Sequence, residues 1–113
     1  MTDDSFLGRM ARRSRERTLR ARAQESEATL RARAMATAHP PRLTLGEFGV
    51  IAELKLRSPA AGSLAEPDFD LGARLTAYAS GGAMAISILT EPDEFKGDLA
   101  HIQEAASILQ EHD

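Results

Sequence analysis

A chain of 113 residues without cysteine is long enough for one domain of ordinary size, and it can hold neither a disulfide framework nor a thiolate nucleophile or metal site. Only 4% of its residues are aromatic, so any core must rest on Leu, Ile, Val and Ala. The net charge of -3 conceals two unlike parts: residues 1–48 hold ten arginines against six acids, and residues 49–113 hold four bases against eleven acids. Such a split points to an anionic partner for the first part or to an internal electrostatic match.

The N-terminus, Met1-Thr2-Asp3-Asp4-Ser5, is acidic and leads into arginines, where a secretory signal needs an apolar stretch. No apolar run approaches the ~20 residues of a membrane-spanning helix. The expectation is a cytoplasmic protein without a membrane partner. Residues 5–38 then read as helix. Phe6, Leu7 and Met10 begin an apolar stripe that fades towards Leu19, and Leu30, Ala34, Met35 and Ala38 resume it. A break is predicted near residue 25, with Ser5 and Ser26 as N-caps. His39-Pro40-Pro41 ends the stretch, because a residue before proline is pushed out of the α region.

Val50-Ile51-Ala52-Glu53-Leu54-Lys55 reads as a short buried strand. Residues two apart point to one face of a strand, so Glu53 and Lys55 project together with Ile51. Ser58-Pro59-Ala60-Ala61-Gly62 reads as a loop. Asp70 is placed to cap a helix over 71–80 with Leu71, Leu75 and Tyr78 on one face, and Gly81 to end it in the left-handed conformation. Ala83 to Leu89 is a second strand, Thr90 to Gly97 a loop, and Asp98 the cap of a last helix carrying Leu99, Ile102, Ala106 and Leu109. Residues 49–113 thus spell strand–helix–strand–helix, the grammar of a parallel sheet. Each unit takes about 32 residues, and eight would make roughly 250, the size of a (β/α)8 barrel. A doubly wound sheet shares the same local pattern, but neither strand is followed by the glycine fingerprint of a dinucleotide site.

Ligands of parallel α/β proteins gather at the C-terminal ends of the strands. There the sequence collects Glu53, Lys55, Ser58 and Pro59 after the first strand, and Thr90, Glu91 and Phe95 after the second. A lysine beside a carboxylate on such a rim anchors a phosphate or carboxylate, or serves as a general acid if its pKa is lowered. It can equally be a structural ion pair. His39, His101 and His112 are isolated and form no ligand pair with metal spacing, so no metal is assigned. The stretch from Arg9 to Arg22 has no aromatic after Phe6, and Glu16, Glu25 and Glu27 interleave with or follow its arginines. A solvated helix suits it better than a nucleic-acid footprint.

Residues 50–62, Val-Ile-Ala-Glu-Leu-Lys-Leu-Arg-Ser-Pro-Ala-Ala-Gly, resemble the first-strand signature of indole-3-glycerol-phosphate synthases, a pattern of the type IAE-hydrophobic-K-x-x-SPS-x-G. Ala85-Ile86-Ser87-Ile88-Leu89-Thr90-Glu91, followed by Phe95 and Gly97, resembles the second-strand signature of the same family. The upstream helices fit the helical extension that precedes the barrel in that family. Two departures stand out: Ala60 replaces the second serine of the SPS pattern, and Ala61 occupies a position where lysine is common.

The resemblance implies an α/β fold, namely a partial (β/α)8 TIM barrel. A helical extension over 1–48 would precede the first two βα units over 49–113, about 40–45% of a whole family member. It implies a carboxy-lyase of tryptophan biosynthesis that closes an indole ring on 1-(2-carboxyphenylamino)-1-deoxyribulose 5-phosphate, with no cofactor. Lys55 would contact the anionic groups of this phosphorylated small molecule and assist catalysis, with Glu53 positioning it. Ser58 and Pro59 would belong to the adjoining substrate site, and Phe95 would pack on the anthranilate ring. The family's principal general acid on the third strand, its general base on the fourth and its phosphate cup on the last strands all lie beyond residue 113. Alone, the chain is expected to be inactive and to self-associate through open sheet edges, or to meet a complementary barrel chain. A non-catalytic module completing a split barrel is the alternative, and a nucleic-acid-binding arm on a small α/β domain is the third reading.

Overall fold

A computed structural model describes residues 4–65 and 67–110. His112 and the first residues of the acidic N-terminus, Met1 to Asp3, lie outside them. The chain forms two compact units, Met1–Leu43 and Thr44–Asp113.

The first unit is built from α1 (Phe6–Gln24) and α2 (Glu27–Ala36). Ser5 caps α1, its hydroxyl oxygen accepting from the Gly8 amide, and Ser26 caps α2 by accepting from the Thr29 amide at 3.1 Å. Each cap satisfies an amide that the first helical turn leaves without a partner, a contribution of about 1 kcal/mol. Glu25 lies between the helices in an extended conformation, so the break falls where the sequence predicts it. Its carboxylate receives two bonds from Arg33, from Nε at 3.1 Å and from Nη2 at 2.8 Å. This hydrogen-bonded pairing with a guanidinium holds the Glu25 carboxyl below the ordinary carboxylate range. The helical stretch ends at Ala36, two residues before the predicted limit, as the chain turns extended at Thr37 ahead of the prolines. No residue of α1 or α2 is buried.

The second unit contains β1 (Ile51–Leu54), the two short strands β2 (Arg57–Ser58) and β3 (Gly62–Ser63), α3 (Leu71–Ser80), β4 (Ala85–Ile88) and α4 (Ala100–Leu109). Strands β1 and β4 pair in parallel, with Ile51 opposite Ala85, Glu53 opposite Ser87 and Leu54 opposite Ile88. Bonds from the Met84 amide to the Val50 carbonyl and from the Leu89 amide to the Leu54 carbonyl lengthen the ladder at both ends. Because strand side chains alternate, Leu54 turns to the helices while Ile51 and Glu53 turn away. Leu54, Leu75 and Ala105 form the buried centre, wrapped by Phe69, Leu71, Ile86, Ile88, Ile108 and Leu109. The fully buried Leu75 alone contributes ~1.5–3 kcal/mol of apolar burial.

Four local expectations are corrected. Residues 58–62 do not form a simple loop: β2 and β3 pair antiparallel, Arg57 with Ser63 and Ser58 with Gly62, and Gly62 takes φ +72 in the turn. The left-handed residue after α3 is Gly82 at φ +92, whereas Gly81 stays helical at φ -74. The Ala83 amide bonds to the Tyr78 carbonyl and the Gly82 amide to the Ala79 carbonyl, a Schellman closure that places the left-handed position one residue later. The face that α4 turns to the core is His101, Ala105, Ile108 and Leu109, while Leu99, Ile102 and Ala106 are exposed. Asp98 is not the cap of this helix: the cap position is Leu99, which makes no side-chain cap bond, and the Asp98 carboxylate accepts from the Ala100 amide at 2.8 Å one residue before it. Among the described residues, no helix is long and apolar enough to cross a membrane.

Candidate active site

The parallel ladder decides which side chains meet at its C-terminal end. Glu53 and Lys55 share the face opposite the helices, and Lys55 Nζ lies 3.4 Å from Glu53 Oε2. Both side chains are partly open to solvent, which limits the pair to ~0.2–1 kcal/mol of stability. The strand therefore does not need this pair to fold. Ser87, directly across the ladder, directs its hydroxyl towards Glu53 Oε1 at 3.5 Å. On the other side of the backbone, the Tyr78 hydroxyl of α3 donates to the Glu53 carbonyl at 3.3 Å. The strand carrying Glu53 is thus fastened to the helix layer while its carboxylate faces out.

Phe95 reaches the same place from the loop after β4. Its ring centroid lies 5.9 Å from Lys55 Nζ, within cation–π range. The ammonium accordingly stands between a carboxylate and an aromatic face. The loop itself is closed by Glu91, whose carboxylate accepts from the amides of Asp93, Glu94 and Phe95. Gly97 is buried, and a Cβ there would run into the Leu89 carbonyl oxygen and the Thr90 backbone, so only glycine permits the return of the chain.

Ser58 stands in the β2–β3 hairpin, where its hydroxyl oxygen accepts from the Ala61 amide at 3.0 Å. Its hydroxyl proton is not used in that bond, so the group retains a donor. Pro59 and Ala60 occupy the exposed hairpin tip. The structure thus brings Glu53, Lys55 and Phe95 together, and it gives Ser58 and Pro59 no bond to that trio. Two residues of the rim carry more than the sequence reading assigned them. Ser87 is a polar residue inside an apolar run, a signal that becomes specific once register sets it opposite Glu53. Glu91 is a carboxylate just before a turn, which by itself has many uses. Among the described residues, no group of three or more histidine, aspartate or glutamate side chains is placed to hold a metal ion.

Residues 8–112 match the sequence model of a family described as indole-3-glycerol phosphate synthase. A relative of that name from Roseiflexus sp. (strain RS-1) is 40% identical over 106 residues, covering 88% of this chain and 39% of that protein. Another, from Nocardioides sp. (strain ATCC BAA-499 / JS614), is 49% identical over 84 residues, covering 69% of this chain and 31% of that protein. A third, from Mycobacterium ulcerans (strain Agy99), is 45% identical over 85 residues, covering 67% of this chain and 31% of that protein. The chain spans between 31% and 39% of the length of these three curated relatives.

Proposed function

The chain belongs to the indole-3-glycerol phosphate synthase family, and from that premise we propose that it forms the first two βα units of a (β/α)8 barrel whose rim catalyses indole ring closure. The observation that carries this reading is the Lys55 ammonium, held 3.4 Å from Glu53 and beneath the Phe95 ring at the C-terminal end of a parallel strand pair. Active sites of such barrels are assembled at that end.

The substrate is 1-(2-carboxyphenylamino)-1-deoxyribulose 5-phosphate. A carbon of its anthranilate ring attacks the ribulose carbonyl, after which carbon dioxide and water leave. An aromatic carbon is a weak nucleophile, so the carbonyl needs a proton donor and the final dehydration needs a base. The principal acid and base come from later strands of the barrel. Lys55 meets the anionic groups of the substrate and helps place the proton, and Glu53 holds the ammonium in line through its carboxylate. Phe95 offers a flat apolar wall to the anthranilate ring, a contact of ~0.5–1.5 kcal/mol beyond area burial. Ser58 supplies a donor hydroxyl in the neighbouring hairpin, and Pro59 shapes that loop. The reaction as assigned draws on no cofactor and takes place in the cytoplasm.

A chimera that joins residues 1–113 to the remaining barrel of the Roseiflexus relative tests this directly. It is expected to form indole-glycerol phosphate and to restore growth of a tryptophan auxotroph, with Lys55→Ala lowering turnover by about 10²-fold. Full turnover in the Lys55→Ala chimera would remove Lys55 from the chemistry.

A second reading draws on the exposed side of the ladder. Ile51 on that side is 57% exposed, and β1 and β4 make a sheet of two strands among the described residues. Open edges and apolar residues of this kind recruit further strands, so the chain would serve as an assembly module that completes a barrel with a complementary chain or associates with its own copies. Sedimentation of the purified chain should then show oligomers, and a cooperative monomer would count against this module.

A further inference from the structure

Glu91 plays no part in the reaction outlined above, yet three successive backbone amides converge on its carboxylate. Oε1 accepts from the Asp93 amide at 2.9 Å, and Oε2 accepts from the Glu94 amide at 2.8 Å and the Phe95 amide at 3.2 Å. The backbone carbonyl of the same residue accepts from the Gly97 amide at 2.8 Å. One residue therefore holds both the interior and the end of the loop 91–97. Successive amides curled around one point form a concavity of positive potential, and an ionised carboxylate fills it with two acceptor oxygens. Bonds to a charged acceptor are roughly twice as strong as neutral ones. The backbone is committed to this path further on, where Lys96 takes φ 53 and Gly97 packs on the β4 end without room for a Cβ.

The last amide in that set belongs to Phe95, whose ring stands 5.9 Å from Lys55 Nζ. The Glu91 carboxylate, the Phe95 backbone and ring, and the Lys55 amine are thus linked by direct contacts. We infer that Glu91 is a positioning residue for Lys55: its carboxylate folds the 91–97 loop so that the Phe95 ring fixes where the ammonium stands beside Glu53. The inference rests on the reading of Lys55 as the working amine, and it adds a residue that acts only through another. The face presented to the anthranilate ring is set by the same device.

Lys55 and Lys96 are the only lysines in the sequence, which allows a direct readout. In the 113-residue chain grown with 13C-lysine, two ε-methylene signals are expected, and Lys96→Arg assigns them. Removing the ring by Phe95→Leu abolishes the ring-current shift of the Lys55 signal. Glu91→Ala is expected to move that signal to the same position, and the Glu91→Ala/Phe95→Leu pair to move it no further. Asp98→Ala, which removes the carboxylate at the start of α4, should leave it in place. Where Glu91→Ala does not fold, Glu91→Gln decides. It keeps one acceptor oxygen, and a smaller shift in the same direction is expected. A Lys55 signal unchanged in a folded Glu91→Ala, or unchanged in Glu91→Gln, overturns the inference. So does an additive shift in the double variant. Loss of ring closure in the chimera with an intact Lys55 response would instead overturn the catalytic assignment and leave the loop device standing.

Discussion

The two faces of the β1–β4 ladder are made by alternate residues of the same strands, yet they live in opposite environments. Leu54 is 2% exposed and touches the helix layer, while Ile51, three positions earlier on the other face, is 57% exposed. The first face behaves as the core of a small domain. The second carries Glu53, Lys55 and Ser87 with little around them except the Phe95 loop. The difference teaches that the strand period of two separates the residues that build the core from the ionic and polar residues of the outer face. A residue can be moved between the roles only by changing which face it occupies.

This separation predicts unequal costs. Leu75→Ala, which opens a cavity under the helix face, should cost ~2–5 kcal/mol in urea unfolding. Ile51→Ala should change stability by less than about 0.5 kcal/mol, as at other exposed positions. Equal effects would mean that the outer face is covered in solution, and the chain would then have to be assembled with another. A smaller cost is expected at the end of the core helix α3. The Asp70 carboxylate accepts from the Ala73 amide at 3.1 Å, and Asp70→Ala should cost about 1 kcal/mol by removing that cap.

The smallest effect belongs to the first unit and depends on pH. The Glu25 carboxyl titrates below its ordinary value of 4.5 because Arg33 binds its charged form. A depressed carboxyl stabilises the folded form at pH values above the ordinary one, and this contribution is lost as pH falls through the lower native value. Acidification from neutral pH should therefore leave the α1–α2 junction intact until the range below 4.5, and then loosen it. Hydrogen exchange at the capped Thr29 amide would report the change, and Glu25→Gln should abolish its pH dependence. Loosening of the junction well above that range would assign it to some other group.

Much of this was legible from residues alone. Ser5, Ser26 and Asp70 announce helix starts because a cap acts over three residues of chain. The pairing of Glu53 with Lys55 follows from strand geometry once a strand is granted, and the alternation of strand and helix carries the parallel pairing. Other features were not legible. The β2–β3 hairpin is held by a ladder of only two residue pairs around Gly62, too short to leave an alternating pattern. The helix α4 offers two apolar stripes, one through Leu99, Ile102 and Ala106 and one through Ala105 and Ile108. Periodicity cannot rank them, because only the position of Leu54 and Leu75 says which stripe has something to meet. The meaning of Ser87 and Glu91 likewise waits on register and on a loop path.

By itself the sequence determined the helix starts, the order of strands and helices, and the family to which the chain belongs, since these depend on local spacing and on motifs read along the chain. Only the tertiary structure decided which face of α4 is buried, which glycine turns left-handed, and how Glu91 carries Phe95 to Lys55. The physical reason is that those choices are made by contacts between segments far apart in the chain, such as Leu54 with Leu75 or Lys55 with Phe95. No local spacing encodes such contacts.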